Sequence, residues 1–499
     1  MDAIWKIGCN KADHYPTLNR PIDADVAIIG GGITGLTTAE RLADTGLRVV
    51  VIEALTVGNG CTGGSTGNLY SIMATGLAPL RKKWGDDMVR KVVTSRAQAI
   101  DYIEEAVERF GIDCQFHRRP LYRIATTQDK KTIKTLDAEH EAMVVAGLKV
   151  DTIENSPLPF SMEQGLKIEG QAQFNPLSYV HGLAKAISQR GVEIYEHSPV
   201  RNIDYDQGLI ETDTAHVSAK HIVHATHTPK GISLLQTMLL PSREYGVSAK
   251  INSDAYPNGI FFVHDPFHSI RSYQHENEQY VMVIGEQHKT GEGDSNNAHF
   301  NNLRDYMGSH FEVTDYCHQW SNQQYSPADS LPYIGKLHGQ DRAYLATGFS
   351  GDGLVWGTLA GHIIGDLIIG RENPWHEPFD ARRFTPAKSA MKWVEENASV
   401  SKSLFKDYLG TEKLKEIEEI GLGQGKVVTA EGEKLAIYRD ETGKLSVLSA
   451  VCPHMMCLVH WNGAEASWDC PCHGSRFDLE GEVIEGPSFH PLAKRDQPS

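Results

Sequence analysis

Residues 25–53 read DVAIIGGGITGLTTAERLADTGLRVVVIE, and the larger part of the fold turns on how they are read. A short apolar run, Asp25 to Ile29, meets Gly30, Gly32 and Gly35 in a G-x-G-x-x-G pattern; a helix-period segment follows, and a second apolar run ends on Glu53. This is a strand–turn–helix–strand unit of the size that a dinucleotide needs. The three glycines serve different ends: a tight turn, close approach of backbone to pyrophosphate, and tight packing of helix on strand. The phosphates then sit over the helix N-terminus. Glu53, at the end of the second strand, is placed to accept hydrogen bonds from ribose hydroxyls. A glycine-rich turn with no ligand would not need strand, helix and acid together.

The fingerprint alone does not separate FAD from NAD, but other segments do. Residues 58–71, GNGCTGGSTGNLYS, follow the second strand with small and hydroxyl residues, Ser65 and Thr66 among them, that can wrap a flavin diphosphate. Residues 326–365 supply SPADSLPYIG, a strand YLAT, and then GFSGDGLVWGTLAGHIIG. That order is strand, glycine-rich turn and helix, and it offers backbone amides around Gly348, Gly351, Gly353 and Leu354 as a second cofactor contact. A single dinucleotide fingerprint argues against a separate NAD domain. FAD is the expected cofactor.

At the other end, CPHMMC (452–457) and CPCHGSRFD (470–478) place Cys-x-His, Cys452 and His454, ahead of Cys-x-x-His, Cys470 and His473. Two thiolates can hold one ferric iron and two neutral imidazoles the other. Replacing thiolate by imidazole removes negative charge and raises the potential of a [2Fe-2S] cluster to about −150 to +300 mV. A structural zinc site uses the same residue types. It would use two nearly symmetric knuckles, however, and has no use for the extra Cys457 and Cys472.

This C-terminal stretch, about 424–492, resembles a Rieske domain, in which Cys452, His454, Cys470 and His473 match the four ligands. The resemblance implies a disulfide between Cys457 and Cys472 that ties the ligand loops, and Gly486-Pro487 resembles the Pro loop over such clusters. Met455-Met456 stand where Leu-Gly is common, a change in shielding more than in ligation. Ser475 matches the hydroxyl that bonds a bridging sulfide. Phe477 stands where high-potential members carry a tyrosine, and loss of a donor to sulfur destabilises the reduced cluster. A potential in the lower part of the Rieske range is expected.

The rest of the chain resembles FAD-dependent oxidoreductases of the D-amino-acid oxidase and glycine oxidase class, and more closely a subgroup with a fused C-terminal Rieske domain. The fingerprint, STGN (65–68), VRNIDY (200–205), IVHAT (222–226), DSLPYIG (329–335) and ATGFSGDG (346–353) carry this resemblance. In that class the positions matching Val200 and Thr226 contact the cofactor. The implied fold class is α/β: a Rossmann-like FAD-binding domain, a β-rich substrate domain and an all-β Rieske domain. The expected division is an oxidoreductase domain over 1–385, a helical linker over 386–420 and the cluster domain over 421–499. Within the first, 22–80, 153–240 and 326–385 would bind FAD, and 81–152 and 241–325 the substrate.

Length and charge set outer bounds. A chain of 499 residues exceeds one compact core. The net charge of −16 comes from 64 acids and 48 bases without long blocks, which argues against nucleic-acid binding. The N-terminal MDAIWKIGCNKADHYP has no basic region followed by an apolar run, and no membrane span is expected, so a cytoplasmic protein is the reading. Cys9, Cys61, Cys114 and Cys317 are irregularly spaced and read as reduced thiols. His221, His224 and His227 fall three apart on a β-like run, where alternation would scatter them over both faces.

The middle of the chain is the expected lid over the flavin. Two strand-like runs, SIRSY (269–273) and MVIGE (282–286), would cross in front of the isoalloxazine ring. Arg271 is the candidate to pair a substrate carboxylate in a two-pronged geometry. Glu286 or His288 would polarise an amine or relay its proton. The function expected is a flavin-dependent dehydrogenase or oxidase of a small amine or N-substituted amino acid. Electrons would leave singly through the cluster to an acceptor protein or oxygen. The alternative is an electron-transfer reductase feeding a partner oxygenase.

Overall fold

The protein is described by a computed structural model, in which residues 3–9, 13–252, 256–292, 298–383, 385, 386, 388, 389 and 415–498 are placed. The expected linker helices, with Ala390, Met391, Val394, Leu404, Phe405, Tyr408 and Leu409, lie outside the described residues.

An eight-stranded sheet is built around Ile22–Ile29, which runs parallel to Val49–Ile52 on one side and to His216–His224 on the other. All four residues of Val49–Ile52 are buried, as a parallel strand covered on both faces requires. Ala343–Thr347 and Tyr333–Lys336 extend one edge, Glu193–Tyr195 the other. Helix Ile33–Leu42 and helix Gly353–Ile368 lie against each other unusually closely. A Cβ at Gly357, Gly361 or Gly365 would come within 2.6, 2.7 and 2.5 Å of Thr34, Thr37 and Arg41. The glycines of GTLAGHIIG therefore serve helix-on-helix approach, and the apolar residues between them fill the core.

A nine-stranded sheet stands beside it, with strand order Val313–Pro327, Leu239–Ile251, Glu278–Lys289, His268–His275, Ile260–His264, His117–Ala125, Gln164–Gln173 and Asn68–Leu69, and with Val150–Ile153 as the ninth strand, paired to Gln164–Gln173. Gln164–Gln173 falls in a segment assigned above to FAD binding, yet it pairs in this second sheet with His117–Ala125. One face of the sheet packs on helix Ala298–His310 through Tyr245, Val247, Phe300, Leu303 and Met307. The opposite face looks into the cleft described below.

The C-terminal domain is all β. Gln424–Ala430, Glu433–Arg439 and Leu445–Ser449 form one antiparallel sheet, and His460–Asn462, Ser467–Asp469, Arg476–Phe477 and Val483–Glu485 another. The Cys457–Cys472 disulfide joins the loops that carry the candidate cluster ligands. Among the described residues no helix is long and apolar enough to cross a membrane.

Candidate functional site

A cleft of about 440 Å³ lies between the two large sheets and reaches the C-terminal domain. At one end Gly30 adopts φ +110° and packs so closely that a Cβ would meet the Ala225 carbonyl at 2.4 Å. A Cβ on Gly35 would lie 2.0 Å from the Gly30 carbonyl. Gly32 caps helix Ile33–Leu42, whose Ile33 N–H donates to Thr62 Oγ1 at 3.1 Å. Glu53 accepts from the N–H groups of Gly31 (2.7 Å) and Leu55 (2.8 Å), and burial pushes its carboxyl upward.

Ser65, Thr66, Val200, Thr226, Gly351, Gly353 and Leu354 line the cleft together with Gly30, Gly32 and Glu53. Gly348 does not; at φ +79° it turns the chain against Pro327 and Leu239. The glycine cradle, the helix N-terminus and the unpartnered buried Thr228 Oγ1 beside it fit a bound dinucleotide. A flavin held in such a site would supply a hydride acceptor that can release electrons one at a time.

The three side chains expected to do the chemistry are placed elsewhere, for two physical reasons. Arg271 does face the cleft side of its sheet, opposite Met282. The N-terminal segment covers it: the Trp5 ring sits 4.9 Å from its guanidinium, and Trp5 Nε1 donates to the Ser65 carbonyl at 2.7 Å. Arg271 instead donates to the carbonyls of Thr66 (2.8 Å) and Phe174 (3.3 Å). Glu286 and His288 are turned away by an extra residue in their strand. Arg243 pairs with His288 and Tyr245 with Gly285, so three steps on one strand face two on the other, with Glu286 at φ +57° in the bulge. Glu286 then meets His299 (3.2 Å) and Asn302 (2.9 Å), and His288 stacks near Tyr245 and His299 on the outer face.

On the cleft face stand Glu244, Gly246, Ile284, Trp320, Asn322 and Gln324. Period-two alternation alone would have marked Glu244, had the register of Leu239–Ile251 been known. Glu244 stands partly buried on the cleft wall, and withdrawal from water, with the charge of Asp352 second, pushes its carboxyl up to about 7. Asp352 itself, at the N-cap of helix Gly353–Ile368, accepts from Tyr70 Oη at 2.6 Å and the Ala74 N–H at 3.2 Å, and pairs with buried Arg96 at 3.3 Å.

In the C-terminal domain, Cys452 and Cys470 are buried within hydrogen-bonding reach of each other, and the His454 and His473 rings lie 5.0 Å apart. The Nδ1 atoms of both histidines are buried and unpartnered. His454 Nε2 meets the Gln236 Oε1 at 3.0 Å and the Gly231 carbonyl at 3.2 Å, acceptors that put the proton on Nε2 and leave Nδ1 free for a metal. Burial pushes both imidazoles down, His473 to about 4, which favours the neutral form a ligand needs. Among the described residues, the donors converging within 4.8 Å as a group are Cys457, Cys470 and Cys472, and two of those sulfurs are spent in the disulfide. The four candidate ligands do not close on a single point, as one zinc would require, and they fit a two-iron cluster. Ser475 Oγ accepts from the Ser488 N–H at 3.1 Å, and Phe477 is buried in the same core.

The two halves meet at the cleft. Tyr325 lines it and packs edge-on to His227 at 4.8 Å; its hydroxyl donates toward the carbonyls of His473 and Gly486, both at 3.3 Å. Gln323 Nε2 donates to Tyr325 Oη and to the Gly474 carbonyl, each at 2.8 Å. Arg243, 1% exposed, ion-pairs across the same boundary with Glu465 (2.7 Å) and Glu485 (3.1 Å). No sequence pattern pairs residues so far apart in the chain.

Comparisons with known proteins agree with this architecture. Residues 25–367 match the model of the DAO family, FAD dependent oxidoreductase, and residues 411–495 that of the Rieske [2Fe-2S] domain. The chain is 33% identical to YhfW of Bacillus subtilis (strain 168), described as a Rieske 2Fe-2S iron-sulfur protein, across 99% of this chain and 97% of that one. It is 25% identical to the gamma-glutamylputrescine oxidoreductase of Escherichia coli (strain K12), over 77% of this chain and 90% of that protein. Among solved structures, glycine oxidase from Geobacillus kaustophilus superposes with a TM-score of 0.60 at 22% identity, covering 74% of this chain and all of that one. The chain therefore belongs to the FAD-dependent oxidoreductases of the DAO family and binds FAD, with a Rieske domain that binds a [2Fe-2S] cluster at its C-terminal end.

Proposed function

We propose that this oxidoreductase is a flavin dehydrogenase of a small amine or N-substituted amino acid, and that its Rieske cluster carries the electrons away singly to an external acceptor. Cys452 and Cys470 would ligate one iron and the Nδ1 atoms of His454 and His473 the other. Gly30, Gly32, Glu53, Ser65, Thr66, Val200, Thr226, Gly351, Gly353 and Leu354 would hold the FAD, with Gly35 letting helix Ile33–Leu42 approach the Gly30 turn.

The observation that carries the proposal is the pair Gln323 and Tyr325, whose side chains reach from the cleft wall to the backbone of His473 and Gly474. A candidate iron ligand is thereby within one side chain of the flavin cleft, with no solvent layer needed between them. The amine class is supported by the relative named gamma-glutamylputrescine oxidoreductase and by a cleft whose wall presents the partly buried carboxylate of Glu244. The test is anaerobic mixing of the holoenzyme with a panel of amines, amino acids and hydroxy acids while flavin absorbance is followed. Amines are expected to bleach the flavin. Bleaching by hydroxy acids and by no amine would overturn the substrate class, and rapid bleaching by NADH would favour a reductase.

A further inference from the structure

The charged side chains on the cleft wall divide by position. Arg201 is held by Asp213 through two hydrogen bonds at 2.8 and 2.9 Å, and Lys230 lies near Arg201 and Glu53, toward the nucleotide fingerprint. Glu485 is paired with Arg243 and Arg476. At the other end, where Gly246, Ile284, Trp320 and Phe349 close the cleft, the charged group is Glu244, and no cation among the described residues faces it there. Arg271, the guanidinium that could have met a substrate carboxylate on this sheet, is under Trp5. Asp352, the nearest acid, is already satisfied by Arg96 and Tyr70.

We propose that Glu244 receives the ammonium group of the substrate, so that this cleft selects amines by their positive charge and does not require a carboxylate on the substrate. The inference rests on the amine reading above and gives it a recognition element. A carboxylate partly withdrawn from water on a cleft wall without a counter-ion carries a cost, and a bound ammonium offsets it. A substrate carboxylate in its place would meet like charge in a site of low dielectric. Once paired, Glu244 can take a proton from the ammonium: an N–H bond breaks, an O–H bond forms on the glutamate, and the amine nitrogen keeps the electron pair. The neutral amine is the form whose lone pair can stabilise positive charge left by loss of hydride from the adjoining carbon.

The groups that face Glu244 decide how this depends on pH. Tyr70 and Asp352 stand nearest Glu244, with Arg96 outside the cleft lining and paired to Asp352, and Cys61, His227 and Glu485 lie toward the C-terminal domain; Arg243, Tyr245 and His288 point to the other face of the sheet. Burial pushes Glu244 up to about 7, so the carboxylate that binds a cation should appear as pH rises through that value.

The test uses the FAD-loaded holoenzyme and three probes of one shape: butylamine, the permanently charged N,N,N-trimethylbutylammonium, and butyrate. Binding is read from perturbation of the flavin spectrum and by calorimetry. The quaternary cation should bind the wild type more tightly as pH rises through about 7, and Glu244→Gln should weaken it at least about tenfold and flatten the profile. Glu244→Asp, which keeps the charge, should keep the pH dependence and controls for loss of flavin. Equal cation affinity in wild type and Glu244→Gln, or tighter binding of butyrate than of the cation, would overturn the role of Glu244. Amine bleaching with unchanged cation affinity would remove Glu244 and leave amine oxidation standing. Glu244-dependent cation binding without bleaching by any amine would keep the recognition and remove the reaction.

Discussion

Replacing Arg243 by Met keeps much of the side-chain stem and removes the charge that joins the sheet to the Rieske domain. Burial alone would raise the Glu465 carboxyl; Arg243 and Arg476 outweigh it and hold the group at about 2. Removing one partner of a buried pair costs about 3–5 kcal/mol by general experience. Arg476 stays within 3.1 Å of Glu465 and 3.4 Å of Glu485, so part of the loss is recovered inside the Rieske domain. We expect about 2–3 kcal/mol, or roughly 30- to 150-fold in the docked-to-undocked ratio. Hydrogen exchange should rise in Val313–Pro327 and in Arg476–Phe477, and the anaerobic rate of cluster reduction after flavin reduction should fall. The sign of the pH effect also follows. A depressed carboxyl contributes stability that is present above about 4.3 and is lost as pH falls toward about 2, and Arg243→Met should flatten that window. Wild-type exchange protection together with a wild-type transfer rate in Arg243→Met would refute the reasoning.

Three further outcomes are expected. Gly35→Ala places a methyl 2.0 Å from the Gly30 carbonyl, and overpacking of this kind costs about 1–3 kcal/mol, so the purified variant should carry less FAD; a full flavin-to-protein ratio would contradict this. Cys472→Ser opens the loop of sequence separation 15 closed by the disulfide, which should lower stability of the Rieske domain by about 3 kcal/mol and speed cluster loss on heating. Phe477→Tyr adds a donor in the core that holds Cys452 and Cys470, and a redox titration should show a higher cluster potential; no rise would count against the hydrogen-bond account.

What the sequence made legible was local. Gly30, Gly32, Gly35 and Glu53 are placed within one strand–helix–strand unit, and Cys452, His454, Cys470 and His473 within two loops, so spacing alone brings each set together. Arg271, Glu286 and His288 depend on contacts that spacing does not carry. Trp5, from the far N-terminal end of the chain, covers Arg271. One extra residue in Glu278–Lys289 turns Glu286 and His288 to the outer face. Glu244 is hidden for the complementary reason, since nothing in SREYG says which of its residues face a cleft until the pairing of Leu239–Ile251 with Val313–Pro327 is known. Gly348 illustrates the limit within a motif: in GFSGDG the second and third glycines line the cleft, while the first only turns the chain.

The central claim is that electrons taken from substrate in the cleft enter the cluster of the same molecule. Freeze-quench electron paramagnetic resonance of the wild-type holoenzyme, mixed anaerobically with an amine that bleaches its flavin, tests it most directly. The account predicts that the reduced-cluster signal grows as electrons leave the flavin, at a rate independent of protein concentration. A cluster that stays oxidised beside a fully bleached flavin, or one reduced at a rate proportional to protein concentration, would contradict it.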